Sequence, residues 1–218
     1  MPYSISKHGS KFSVINLSTG HVFSKNSTKK NATKQLALLN SLHGGGTSLK
    51  KAMSDGDLHE YFPNAKIFKI SEIPQTADLS EFAPHGTPIY LLYEHSLNSG
   101  HWCAMTRTGD KEISYFDSFG NVPGLPLTWN SDEQNAELNQ GTQLIDMFDR
   151  SPEFIVKYND YDYQAEDSAT CGRFATSFLK HVLKHGGTLA SFKTEMLKQQ
   201  KLKHKKTADS LIVDEIPG

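Results

Sequence analysis

The chain has 218 residues, of which 37% are apolar and 10% aromatic, enough for one medium domain with a small appendage. No stretch of about 18 apolar residues is present, which excludes a membrane-spanning helix, and the opening "MPYSISKHGSKF" lacks the apolar run of a secretory signal. Two cysteines, Cys103 and Cys171, without a CxxC pair exclude a disulfide scaffold and a cysteine-rich zinc site; a reducing compartment is expected, with no cofactor and no metal.

The net charge of −1 conceals an asymmetry. Lys7, Lys11, Lys25, Lys29, Lys30, Lys34, Lys50 and Lys51 all precede Asp55, with no acidic residue among them, whereas the rest of the chain holds 15 basic and 24 acidic residues. Such a split is either a solvated lysine face or a surface for a polyanion or an acidic partner.

In chain order, Lys11–Ser24 reads as a hairpin turning at Ser18-Thr19-Gly20. A helix follows, capped near Asn26 or Ser27, with an apolar stripe of Ala32, Leu36 and Leu39 and a stop at Gly44-Gly45-Gly46. That ββα unit is too small to be very stable alone, and a boundary is expected at the triple glycine. Beyond it come a short helix before Phe62, a strand at Ala65–Ile70, and a loop up to Pro88. Ile89–His95, His101–Arg107 and Lys111–Asp117 read as a three-stranded meander. Ser131–Phe148 is predicted helical and Glu153–Tyr158 a further strand. The clearest helix is Thr170–His185, with Phe174, Phe178, Leu179, Val182 and Leu183 on one face and Gly186-Gly187 as its stop. Another helix begins the basic tail, whose end, "TADSLIVDEIPG", is expected to be loose. The architecture is α+β, a mostly antiparallel central sheet flanked by helices. Residues 1–46 form a basic N-terminal segment, 47–200 the main domain, and 201–218 a tail that is basic and then acidic.

Cys171 could be packing, a metal ligand or a nucleophile. If Asp167 or Ser168 caps its helix, the thiol lies in the first turn, where unpaired N–H groups and the helix dipole favour thiolate; a buried cysteine acting as a small hydrophobe is the plain alternative. A nucleophile needs a base, an orienting acceptor and oxyanion donors. Should Thr108-Gly109-Asp110 be a three-residue loop with Arg107 opposite Lys111, His101 would stand opposite Asp117, Cβ atoms about 5 Å apart. A two-residue loop would break that register. His101 alone could be a structural histidine, and Asp117 could instead initiate the "DSFGN" turn. Gln164, seven residues before Cys171, could donate its amide to an oxyanion, although spacing by itself does not single it out. Cys103 reads as a packed thiol sharing a strand face with His101.

"GHWCAM", "YFDSFG" and "QAEDSATCGRFATSFL" resemble the three signature blocks of the adenain-like cysteine proteases, the group of the adenovirus maturation protease, related to the proteases of ubiquitin-like proteins. The resemblance spans about Ile89–Leu183 and is nearest to the enzymes of virophages, Polinton-type elements and large DNA viruses such as African swine fever virus. The order His, acid, Gln, Cys and the spacings of 16, 47 and 7 residues agree with the group. The resemblance implies a papain-like core with His101 as base, Asp117 as its orienting acid, Gln164 as oxyanion donor and Cys171 as nucleophile. Trp102 would pack beside the histidine and Gly172 would give the backbone room. Adenain itself has Glu at the acidic position, so Asp117 matches the cellular relatives.

It further implies a viral endopeptidase that matures capsid or core precursors at Gly-Gly-type sites, as a monomer within the virion and host cell and not secreted. The lysine-rich segment and the cluster Lys198, Lys201, Lys203, Lys205 and Lys206 suit non-specific DNA contact, and the triple glycine is a conceivable self-processing site. Alternatives are a protease of ubiquitin-like conjugates, an acetyltransferase of the bacterial-effector kind, and a nucleic-acid-binding virion protein with vestigial catalytic blocks.

Overall fold

A computed structural model of the chain describes residues 3–17, 20, 22–43, 48–205 and 207–217. The triple glycine, with the boundary and processing site expected there, lies outside the described residues, as do Ser18 and Thr19 of the first turn. The N-terminal unit is βββα, not ββα: β1 (Tyr3–His8), β2 (Lys11–Asn16) and β3 (Val22–Ser27) form an antiparallel sheet. The opening strand went unseen because "YSISKH" alternates only weakly between apolar and polar. Helix α1 (Lys29–His43) is capped by Thr28, whose hydroxyl accepts from the Asn31 amide at 3.2 Å, and not by Asn26 or Ser27. The predicted stripe is present: Ala32 and Leu39, with Leu36 beside them, close a small core of Tyr3, Val14 and Phe23.

The main body follows. A 3-10 turn at Ser48–Lys50 leads to α2 (Asp55–Tyr61), capped by Ser54. Then come β4 (Lys66–Lys69), a short α3 (Leu79–Phe82), β5 (Ile89–Ser96), β6 (Ser99–Gly109) and β7 (Glu112–Phe116). The sheet runs β4-β5-β6-β7-β8, with β8 at Ile155–Tyr158. It is mixed rather than mostly antiparallel: β5-β6-β7 is the expected meander, but β4 and β8 pair in parallel with β5 and β7. Both edge strands reach the sheet through long crossovers, and short apolar runs reveal strand identity without direction.

Both faces of the meander are buried. Tyr90, Leu92, Trp102, Ala104 and Phe116 meet one core, while Ile89, Leu91, Tyr93, Cys103, Met105, Ile113 and Tyr115 meet another. This is the period-two alternation of a sheet covered on each side. The first face carries α6 (Cys171–His185), whose Phe174, Phe178, Leu179 and Val182 are buried as predicted and which ends at Gly186 with φ +64°. The expected helix Ser131–Phe148 is broken into α4 (Asp132–Glu137) and α5 (Gln143–Asp149), separated by Asn139 at φ +52°. There the Gln140 side chain accepts from Glu94 N at 3.0 Å and donates to Glu94 O at 2.7 Å. A buried tertiary bond pair has outweighed local helical propensity.

The end of the chain is not loose. Helix α7 (Leu189–Leu202) is followed by α8 (Ala208–Glu215), capped by Thr207, which packs Leu211, Ile212 and then Ile216 into the same core as α6. Tyr61 Oη closes this end by donating to Pro217 O at 2.6 Å. Leu211→Ala should therefore cost about 2–5 kcal/mol of stability by cavity formation. Chemical denaturation checks this, and a loose tail would give no change.

Candidate active site

Cys171 opens α6, and the residue at the helix boundary is Thr170, not Asp167 or Ser168. No side chain caps this end, so the first-turn N–H groups are left without an intrahelical or capping partner. The Thr170 hydroxyl is turned instead to the Asp209 carboxylate. Gly172 sits in tight packing: a Cβ there would stand 3.0 Å from Met53 Cβ and 3.2 Å from Trp102 Cδ1. A side chain at position 172 would require Met53 or Trp102 beside Cys171 to shift.

The hairpin register differs from the expected one. Ala104 pairs with Phe116, Thr106 with Ser114 and Arg107 with Ile113, and a bulge at Thr108 leaves a tight turn at Asp110-Lys111. His101 is thus paired with Tyr93 of β5, not with Asp117. The two side chains meet nonetheless, across the diagonal of the ladder: His101 Nε2 donates to Asp117 Oδ1 at 3.1 Å. Asp117 also begins the "DSFG" turn, its Oδ1 accepting from Phe119 N at 2.7 Å and its carbonyl from Gly120 N at 2.9 Å. Both roles considered for it coexist. Asn121 Nδ2 at 3.2 Å and Cys103 Sγ at 3.6 Å donate to the other carboxylate oxygen.

Burial alone would lower the pKa of His101, but the Asp117 carboxylate and its hydrogen bond outweigh it and hold the imidazole well above its ordinary value. Burial likewise pushes the Asp117 carboxyl up, and His101 with the Phe119 and Asn121 donors brings it below the usual range. Nε2–H is committed to Asp117, so the second proton of the imidazolium, or the lone pair of the neutral ring, lies on Nδ1, a buried atom without a hydrogen-bond partner. Cys171 makes no hydrogen bond to it in the structure. The rings flanking His101 are Phe119, stacked with centroids 5.2 Å apart, and Trp129 at 5.0 Å. Trp102 lies against Gly172 and Tyr90, with its Nε1 donating to Met53 O; its place is beside the start of α6 and not against the imidazole ring. Cys103 is a packed thiol, pushed up to about 12 by burial and by Asp117. His101, Cys103 and Asp117 have ligand atoms within 4.8 Å of one another, a cluster that the dyad's own hydrogen bonds explain.

Gln164 is buried and fixed at both ends, accepting from Ser118 Oγ at 2.6 Å and donating to Ser168 O at 2.9 Å. Its backbone N also donates to Ser118 O. The oxyanion candidate is therefore tied to the residue following Asp117, and one amide hydrogen remains for a ligand.

Two positioning residues went unrecognised in the sequence. Asn159 clamps Asp117: its Oδ1 accepts from Asp117 N at 2.9 Å and its Nδ2 donates to Asp117 O at 2.7 Å. It continues the β7–β8 pairing by one side-chain rung. Asp209 of α8 pins the loop between Gln164 and Cys171, accepting from Ala165 N at 2.8 Å, Ser168 Oγ at 2.6 Å and the Thr170 hydroxyl. No sequence signal marks Asp209, which is 38 residues beyond Cys171.

No family model matches the chain. It is similar to "Uncharacterized protein V9" of Sputnik virophage, with 29% identity over 140 residues, covering 62% of this chain and 78% of that protein. A likeness to a virophage protein agrees with the viral setting that the sequence suggests. Among the described residues no helix is long and apolar enough to cross a membrane.

The dyad has a pH signature. Its ion pair is fully present between the ordinary carboxyl and imidazole values of 3.8 and 6.5. The stabilisation fades as pH falls through the lowered value of Asp117, or rises through the raised value of His101. Asp117→Asn should lower the His101 pKa, read by NMR titration of its ring, and remove this window from the pH–stability curve.

Proposed function

We propose that this protein is a cysteine endopeptidase with a papain-like core of the adenain type, maturing the capsid or core precursors of a virus or virus-like element. The observation that carries this is the buried His101–Asp117 pair, whose free Nδ1 belongs to the strand beside Trp102 while Trp102 packs on the residue after Cys171. The motif resemblance and the likeness to a virophage protein support the viral assignment.

The reaction follows from the groups present. The neutral His101 ring takes the Cys171 proton on Nδ1, a transfer favoured by the raised basicity that Asp117 gives the imidazole, and the Sγ thiolate attacks the scissile carbonyl carbon, forming the C–S bond. Gln164 Nε2 and the N–H groups opening α6 hold the developing oxyanion, each worth about 3 kcal/mol. The C–N bond breaks as His101 returns its proton to the leaving amine. His101 next takes a proton from water, the hydroxide attacks the thioester, and the C–S bond breaks to release the acid and the thiol. Asp117 stays ionised throughout and holds the tautomer. Gly-Gly-type sites are the specificity that the motif resemblance implies.

Cys171→Ala and His101→Ala should abolish cleavage of a precursor polypeptide while leaving the thermal transition in place. Asp117→Asn should retain partial activity, and Gln164→Ala should lower kcat by about 10²–10³. Turnover by the Cys171→Ala protein at the wild-type rate removes the proposal.

The basic surface is the second component. Lys7, Lys11 and Lys29 are exposed and available to a polyanion, but Lys34 is buried and Lys30 is paired with Asp162. In the C-terminal cluster, Lys198, Lys203 and Lys205 are paired with Glu195, Glu215 and Asp214, and Lys201 is exposed. DNA binding is therefore expected to be weak, sequence-independent and steeply salt-dependent. Titration at two ionic strengths, with and without Lys7→Glu and Lys11→Glu, checks it.

A further inference from the structure

His101 is 0% and Cys171 1% exposed. A substrate carbonyl must come within about 3–3.5 Å of the attacking atom, so something in this structure stands where a substrate would lie. Helix α1 packs against the Phe119–Trp129 wall beside His101. Its Ala32, Leu36 and Leu39 face their own sheet, while Lys30, Lys34 and Gln35 meet the main body. Lys30 Nζ pairs with Asp162 at 3.2 Å. Gln35 Nε2 donates to Phe23 O at 3.2 Å and reaches Asn130 Oδ1 at 3.5 Å.

Lys34, 2% exposed, puts its ammonium 3.7 Å from the centroid of Phe119 and 5.6 Å from that of Trp129. These are the two rings that enclose His101. Burial lowers the Lys34 pKa to about 8, opposed by the nearby carboxylates of Asp162, Asp117 and Glu166. Desolvating an ammonium is costly unless carboxylates and ring faces compensate it, and the small core of the N-terminal unit has no need of this lysine. Among the described residues that core buries Tyr3, Val14, Phe23, Ala32 and Leu39, a small set for a unit of this size, so the unit gains stability by docking.

We propose that the N-terminal unit is an intramolecular cap on the catalytic site, with Lys34 as its plug against the Phe119–Trp129 wall. This rests on the endopeptidase reading only in taking Cys171 as the atom that substrate must reach. In the docked state Cys171 is shielded; when α1 swings away, the Phe119–Trp129–Asn130 wall and Asp162 become a groove leading to it. A basic side chain of an incoming polypeptide can then take the place of Lys34.

The test is the rate at which iodoacetamide alkylates Cys171 in the full-length protein, followed by peptide mass spectrometry with Cys103 as the internal reference for an intact core. Wild type should label slowly at both thiols. Lys34→Glu, which sets a carboxylate against Asp162, Asp117 and Glu166, should raise Cys171 labelling about tenfold or more and leave Cys103 slow. Lys30→Glu breaks an exposed ion pair without touching a core and should raise it several-fold. If Cys103 labels too in the Lys34→Glu protein, that variant has unfolded and Lys30→Glu decides. Wild-type Cys171 labelling as fast as an exposed thiol, or no rise in Lys30→Glu, overturns the cap. Faster labelling without any precursor cleavage keeps the cap and removes the endopeptidase.

Discussion

An ionised carboxylate buried out of water must be surrounded by donors, because its desolvation costs several kcal/mol that only hydrogen bonds and an opposite charge can offset. Asp117 imposes that demand on this fold. Its two oxygens draw on the imidazole of His101, the amide of Phe119, the side chain of Asn121 and the thiol of Cys103. Its own backbone is held by Asn159, which arrives from the end of β8. The turn that supplies the Phe119 amide closes at Gly120, with φ +69°, where a Cβ would stand 2.9 Å from the Tyr161 backbone. The parallel pairing of β7 with β8, the tight turn and the ring wall around His101 all follow from housing this one charge.

The loop that leads into Cys171 is held by a different set of contacts, drawn from both ends of the main body. Ala169 N donates to Leu49 O at 2.8 Å, Arg173 donates to the carbonyls of Lys51 and Ile216, and Asp209 binds three groups between Ala165 and Thr170. Because Thr170 and Ser168 are committed to Asp209, neither caps α6. The amides at the start of that helix are left without a side-chain cap. Helix α8 thus completes the site although its residues are far from Cys171 in the chain.

The segregation of lysine at the N-terminus also acquires a physical meaning. Lys30 and Lys34 are four residues apart, so they share one face of α1, and that face meets the acidic side of the main body at Asp162. Part of the charge asymmetry is spent inside the molecule, between a small basic unit and a larger acidic one. Among the described residues, exposed Lys7, Lys11 and Lys29 are spread over β1, β2 and the first turn of α1, and Lys51 is exposed beyond them.

The sequence by itself determined the elements whose signal is local: the meander, the α6 stripe with its glycine stop, and the motif order that singles out His101, Asp117, Gln164 and Cys171. Hydrophobic periodicity and turn chemistry act over a few residues, and a motif carries its spacing with it. Tertiary structure decided everything that depends on what a segment meets. A one-residue bulge shifted the β6–β7 register, and the His101–Asp117 contact survived because diagonal neighbours in a ladder are still within reach of an imidazole and a carboxylate. The direction of β4 and β8 was not legible, since a four-residue apolar strand pairs equally well either way until its crossover is known. The tail reads as loose because Leu211, Ile212, Val213 and Ile216 in an acidic peptide carry little signal alone; they become a core helix only when α6 and α7 supply the surface, and Asp209 finds its role only when the Cys171 loop lies against it.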